Sequence, residues 1–261
     1  MKTALLISTY NWPEALQLIF KSISEQTVLP DEILIADDGS KLETKALIDT
    51  FAQHIKVPVK HVWHEDKGFR KAIVLNKAVA TSSADYIIQI DGDCIMHPRF
   101  IEDHKANVQK NMYLYGTRAT IIKHALPEIF SKQQTKFHYF SKNIKKRSRT
   151  IHSIFLSKFN KPHKEFSSKF RGCNVSFWRQ DFIDVNGYNE DFEGWGREDS
   201  DLVIRMGNKG VFAKRLRYVG IVYHIYHPEN KRDRLNENDA IQNKSIQEKI
   251  IKANKGVSQY L

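Results

Sequence analysis

Asp91 and Asp93 stand one residue apart at the end of a short apolar run that includes Tyr86, Ile87, Ile88 and Ile90. Residues i and i+2 of an extended chain point the same way, so the two carboxylates converge and repel unless a proton or a cation lies between them. Hard divalent cations take oxygen ligands of this kind. The run is apolar on both faces over strand length, which predicts a buried parallel strand. Ligands of open α/β sheets gather at the carboxyl ends of such strands. Asp-Gly-Asp also occurs in ordinary surface turns, and its place directly after a buried strand favours the ligand-binding reading. The pattern recurs, since the apolar run 32–37 ends in Asp37, Asp38, Gly39 and Ser40, and the run 3–8 leads into Thr9, Tyr10 and Asn11.

The spacing of apolar residues supplies the elements that must carry these groups. Pro13 suits a first helical turn, and Leu16, Ile19, Phe20 and Ile23 follow at helical spacing. The second strand precedes a helix expected to face Leu42, Leu47 and Phe51 inward. A third strand over 57–63 leads through the polar turn 64–70 into a helix over 71–80. The Asp91 strand is followed by a helix over 98–108 and a fifth strand over 112–117. Four βα units in succession predict an α/β, Rossmann-like fold, a mostly parallel central sheet flanked by helices with right-handed crossovers. All the polar turns then share one rim. Over 119–168 the periodicity fades, and the segment reads as a helical or partly mobile insertion. A strand over 170–178, a short helix over 180–185 and a helix over 198–208 stopped by Gly210 follow. A last strand over 217–226 brings His224 and His227 to its end, before a weak helix over 238–253. No internal repeat is present.

The chain has 261 residues and 41% apolar content, enough for one large α/β domain. Cys94 and Cys173 are the only cysteines, too few for a disulfide framework, which predicts a reducing compartment. The apolar stretch within the first residues is too short for a signal peptide or a membrane span, so a cytoplasmic protein is expected. The net charge of +11 is concentrated: residues 118–171 hold fourteen Lys or Arg against Glu128 and Glu165. Such a segment suits an anionic membrane leaflet, a nucleic acid or an acidic substrate.

STYN after the first strand, ADDGS after the second, DGDC after the fourth and FEGWGREDSDL near the end together resemble an inverting nucleotide-sugar glycosyltransferase of the GT-A fold. The first half resembles the family-two group that includes the chondroitin and hyaluronan synthases. Residues 171–201 are similar to the acceptor-side region of β-1,4-galactosyltransferases. The resemblance leaves out the basic segment and the tail. It implies a donor-binding half over 1–117, a basic insertion over 118–169, an acceptor-binding, catalytic half over 170–228 and a polar, helical tail over 229–261.

By that resemblance Thr9, Tyr10, Asn11 and Asp38 hold the uridine of a UDP-sugar. A carboxylate can accept the uracil N3 hydrogen and a tyrosine ring can lie against the base; Asn11 and Asp38 are also ordinary cap and turn residues. Lys67 and Arg70, ahead of a helix, suit the diphosphate. Asn76 matches the family's Arg-Asn pair, with Leu75 where the arginine often stands. Asp91 and Asp93 match the DxD motif, with His224 as a further metal ligand and His227 as its rival; the mixed set suits Mn²⁺ at least as well as Mg²⁺. Asp199 becomes the catalytic base, and Glu198 binds the acceptor or supports that base, both in a first helical turn whose dipole favours ionised carboxylates. Trp195, Gly196 and Arg197 belong to the acceptor loop. Trp195 either stacks on a sugar or sits in the core, and Arg197 stands where the family usually has a second glycine.

The expected activity is metal-dependent transfer of a sugar from a UDP-sugar to a saccharide or glycolipid hydroxyl, in cell-surface polysaccharide or lipopolysaccharide synthesis, with an anionic membrane surface as an expected partner. The rival reading is a nucleic-acid-binding protein using the basic 118–171 segment, which the acidic rim opposes. A nucleotidyltransferase would need a glycine-rich phosphate loop that STYNWPE lacks.

Overall fold

The computed structural model describes residues 1–228 and 233–261, so the first four residues of the expected tail lie outside the described residues. The chain opens with β1 (Thr3–Thr9), α1 (Pro13–Ser24), β2 (Glu32–Asp37), α2 (Leu42–His54), β3 (Val59–Trp63), α3 (Lys71–Ala80) and β4 (Tyr86–Asp91). These match the sequence reading because β1, β2 and β4 are dominated by apolar residues, while β3, VKHVW, is a half-buried strand at the sheet edge. One helix face differs. Leu42 is 82% exposed, and α2 buries Thr44, Ile48 and Phe51. Those three form one stripe, and a residue two positions before Thr44 falls on the opposite side of the helix.

Next come β5 (Cys94–Met96), α4 (Phe100–Asn107), β6 (Met112–Tyr115) and β7 (Thr117–Ile121). The single strand expected over 112–117 is broken at Gly116, where a Cβ would stand 2.2 Å from Asn174 Nδ2. The basic segment contains α5 (Leu126–Lys132), β8 (Ile144–Lys145) and α6 (Ile154–Ser157). Its helices α5 and α6 accord with the helical insertion expected, but β7 and β8 join a sheet, and Ile121, Ile129, Phe137 and Ile144 enter the main core. The chain ends with β9 (Asn174–Trp178), α7 (Arg179–Asp184), α8 (Glu198–Lys209), β10 (Phe212–Arg215), β11 (Ile221–His224) and α9 (Leu235–Gln247). The strand expected over 217–226 shortens to β11, and β10, with two basic residues in four, is not anticipated by an apolar run.

The main sheet has seven strands in the order β10-β6-β9-β4-β1-β2-β3. All are parallel except β9, which runs against both neighbours. Four short strands, β5-β11-β7-β8, form the second sheet. Alternate residues of β1 serve two cores, Leu5 and Ile7 on one face and Ala4 and Leu6 on the other. Burial of both faces explains why the strands read as continuous apolar runs. This is the mixed α/β, GT-A-type architecture expected. Among the described residues no helix is long and apolar enough to cross a membrane.

Arg205 of α8 is fully buried and fixes the loop that follows α7. Its Nε donates to Asp201 Oδ2 at 2.7 Å, while Nη1 and Nη2 donate to the carbonyls of Val185 and Gly187 at 2.5 and 2.8 Å. Truncation leaves Asp201 charged, buried and unpaired. Arg205→Ala is expected to lower stability by about 3–5 kcal/mol, read as a shift in the urea unfolding midpoint; a loss within experimental error would show the pair to be dispensable.

Candidate active site

Three adjacent parallel strands deliver Asp91, Thr9 and Asp37 to one rim, with Ser8 registered against Asp91 and Thr9 against Asp37. The reversed β9 brings its beginning to the same rim, since Asn174 pairs with Ile90. Gly172, just before it, lies against the first turn of α8. A Cβ there would stand 2.0 Å from the Asp199 carboxyl carbon, so the close approach requires glycine.

Lys71, the first residue of α3, is the cation of this rim. Its Nζ donates to Asp91 Oδ1 at 2.8 Å, and Ser8 Oγ donates to the same oxygen at 2.8 Å. Burial works against the charge on Lys71, but the fields of Asp199, Asp91 and Glu198 outweigh it and hold its pKa well above the ordinary value. Burial likewise opposes ionisation of Asp91, and Lys71 overrides it, leaving that carboxyl below its usual range. Asp199 and Glu198 go the other way. Burial raises Asp199 despite Lys71. Burial, followed by the charge of Asp199, pushes Glu198 up to about 7. The helix dipole expected to keep both ionised is therefore overridden, because a dipole worth about 0.3–1 kcal/mol is small beside desolvation. Asp199 Oδ1 is buried and has no hydrogen-bond partner among the described residues.

Asp93 faces the second sheet. β11 pairs antiparallel with β5, setting His224 opposite Cys94. Asp93 Oδ2 lies 3.5 Å from His224 Nε2 and 3.3 Å from His227 Nε2. The ligand atoms of these three residues fall within 4.8 Å of one another. Burial lowers the pKa of His224, which keeps its imidazole neutral with a lone pair to offer. One carboxylate with two imidazoles fits a divalent cation. Both sequence candidates, His224 and His227, belong to this group; Asp91 does not, being held by Lys71 and Ser8 instead. A second trio, His97, Asp103 and His152, ties the basic segment to α4 through a 3.0 Å contact between His152 Nε2 and Asp103 Oδ1.

The turns after β1 and β2 interlock. The Asn11 backbone donates to Ser40 Oγ at 2.8 Å, and the Lys41 backbone donates to Asn11 Oδ1 at 2.9 Å. Asp38 accepts the Arg70 backbone N–H at 2.9 Å and contacts His64 Nε2 at 2.6 Å; burial raises its pKa in spite of both. Tyr10 presents a half-exposed ring, its hydroxyl donating to Asp66 at 2.8 Å. Thr9 is buried beside them. Thr9, Tyr10, Asn11, Asp38 and Arg70 thus converge. Lys67 instead pairs with Glu65 on the surface at 3.0 Å. Asn76 departs from its expected role as a donor contact. It is fully buried, and its side chain bonds Tyr188 N and O and Glu190 Oε1, each at 2.8 Å. It braces the loop after α7 rather than facing the cleft.

Gly194, Gly196 and Arg197, in the loop expected to meet the acceptor, all have positive φ, 69°, 112° and 77°. The last explains the family's glycine at that position: Arg197 adopts a left-handed conformation that costs a non-glycine residue about 1 kcal/mol or more. Its guanidinium pairs with Asp239 of α9. Asn238 donates to the carbonyls of Glu193 and Gly196 at 3.1 and 3.0 Å, so α9 holds the loop from behind. Trp195 is 38% exposed. Lys71 and Gly172 are the parts that sequence reasoning missed, with Lys71, adjacent to the basic turn 67–70, leaving a signal; α9 was expected as a weak helix over 238–253, without its contact to this loop.

The model described as glycosyl transferase family 2 matches residues 4–169. The chain belongs to this family. The match runs through the basic segment, which the resemblance had placed outside it. A second model, described as the N-terminal domain of galactosyltransferase, matches residues 151–228. Among curated relatives of this glycosyltransferase, a chondroitin synthase of Pasteurella multocida is 25% identical over 95% of this chain and 27% of its own length. A validoxylamine A glucosyltransferase of Streptomyces hygroscopicus is 25% identical over 80% of this chain and 48% of its own. The chain therefore spans between about a quarter and a half of these relatives. A crystal structure of S. aureus TarS superposes with a TM-score of 0.64 at 14% identity, over 100% of this chain and 68% of that one. A complex of that protein with UDP gives the same TM-score. These likenesses establish the fold.

Glu198 offers a pH test of the site's electrostatics. Its folded pKa of about 7 lies above the ordinary 4.5, so its stabilising contribution is full below about pH 4.5 and is lost as pH rises through about 7. The stability of Glu198→Gln relative to the parent is expected to increase across that window in urea titrations. A flat difference would refute the buried-acid assignment.

Proposed function

We propose that this family-two glycosyltransferase moves a sugar from a UDP-sugar to a hydroxyl of a saccharide or glycolipid acceptor with inversion at the anomeric carbon. The observation that carries this reading is Asp199, a carboxylate with a raised pKa and a buried oxygen that no side chain or backbone donor satisfies among the described residues. Such a group is a base matched to a hydroxyl proton. The acceptor oxygen forms its bond to the anomeric carbon as the bond to the UDP oxygen breaks, and the hydroxyl proton passes to Asp199. Gly172 leaves room for that carboxyl, and Lys71, bonded to Asp91, lies in the field of both carboxylates. Glu198, protonated up to about pH 7, holds a proton that can donate a hydrogen bond to the acceptor.

On the donor side Tyr10, Asn11 and Asp38 face the uridine, Asp91 and Arg70 the remainder of the nucleotide. Asp93, His224 and His227 would hold a divalent ion, Mn²⁺ in preference to Mg²⁺ given two imidazoles. A bound ion supplies positive charge to the leaving diphosphate. Peripheral attachment to the inner face of a membrane fits the exposed side chains of Ile154, Phe155 and Phe159 beside Lys158 and Lys161.

Asp199→Asn is expected to abolish transfer, a fall of at least about 10²-fold, while metal-dependent UDP binding persists; Asp93→Ala is expected to remove that binding. Near-normal turnover by Asp199→Asn would overturn the base assignment. In vesicle sedimentation, Phe155→Ser with Phe159→Ser is expected to weaken binding to phosphatidylglycerol-containing vesicles. Unchanged binding would remove the membrane contact from the proposal.

A further inference from the structure

The parallel strands β6 and β10 end side by side, with Arg215 registered against Tyr115, on the same rim as the end of β4. Beyond those ends lies a cleft of about 270 Å³ whose seven lining residues include the cationic Arg149, Lys169, Arg215 and Arg217, together with Thr117, Ser148 and Tyr218. Arg118 and Arg171 stand behind them, Arg118 through a 3.0 Å bond from Arg149 Nη1 to its carbonyl. Arg171 precedes Gly172, the residue that Asp199 packs against.

Arg118 has Asp93 within its field, but Arg149 and Lys146 have no such offset. Arg149 has its pKa lowered by burial and then by Arg215, Arg118 and Arg171; Lys146 is lowered by burial, Arg149, Arg118 and Arg171. No carboxylate among the described residues offsets either. Arg215 Nε is buried without a hydrogen-bond partner, a donor that costs free energy unless a ligand accepts from it. A folded chain that holds half-buried guanidinium groups together against their repulsion has a site for an anion. A second hollow of about 400 Å³ shares Lys169 and Arg215 with it and adds Lys161, Phe159 and Phe166, with Glu165 as its one carboxylate.

We propose that this cleft is an oxyanion site that takes a phosphoryl group carried by the acceptor, either on its saccharide or on a lipid to which the saccharide is linked. The inference rests on the acceptor reading of the rim and adds the acceptor's charge. Paired arginines suit phosphoryl oxygens because each guanidinium can donate two parallel hydrogen bonds. A bound phosphoryl group would satisfy Arg215 Nε and relieve the repulsion among the surrounding cations.

The test uses the full chain in EDTA, titrated calorimetrically with inorganic pyrophosphate. Arg149→Gln with Arg215→Gln is expected to bind roughly tenfold or more weakly than the parent. Arg149→Lys with Arg215→Lys is expected to keep most of the affinity. No binding by the parent, equal affinity in the parent and the Gln variant, or equal loss in the Gln and Lys variants would overturn the proposal. A parallel measurement with phosphatidylcholine vesicles, with and without phosphatidylglycerol, separates the two sources. Loss of vesicle binding together with pyrophosphate binding in the Gln variant places the phosphoryl group on a lipid; loss of pyrophosphate binding alone places it on the saccharide. Both support the cleft. Absence of sugar transfer by the parent would sink the glycosyltransferase mechanism yet leave the pyrophosphate result standing.

Discussion

One ammonium group, that of Lys71, lets three acidic side chains from distant parts of the chain share a buried rim. Asp91 comes from the end of a central strand, Glu198 and Asp199 from the first turn of a helix more than a hundred residues later. Without the lysine, burial would drive protons onto all of them. With it, the three part company: Asp91 is held ionised, while Glu198 and Asp199 keep a raised affinity for protons. Neighbouring carboxyl groups with divergent proton affinities are what acid–base chemistry requires. The rest of the fold serves to bring these charges into range.

The route is topological. Parallel strands put their carboxyl ends on one edge, which accounts for Asp91, Asp37 and the turn after β1. Gly172, just before β9, would lie at the opposite edge if that strand had continued in parallel. The reversed β9 solves this by presenting its amino end, and with it Gly172, where Asp199 can rest. The second sheet repeats the device on a smaller scale, since antiparallel pairing of β5 and β11 places His224 beside Asp93.

Much of this was legible in the residues. The first four strands and three helices follow from apolar runs and polar turns, and the structure sets Asp93 beside His224 and Asp199 in a first helical turn. Other parts left no local trace. Leu42 looks apolar and inward but lies off the stripe that α2 buries. Asn76 has the identity of a ligand contact and the environment of a brace, a distinction that burial alone decides. The strands β8 and β10 are too short or too basic to show a period of two. Lys71 is a lysine among many, and its role depends on carboxylates that sequence separation hides.

The ladder through β9 also limits how the enzyme can move. Hydrogen bonds join β9 to β4 on one side and to β6 on the other, so the walls of the cleft are continuous with a single sheet. Hinged rotation of one wall against the other would tear that ladder. Changes in the shape of the cleft must come from the linking turns, above all the glycine-rich bend around Trp195 that α9 clasps, before they come from the strands.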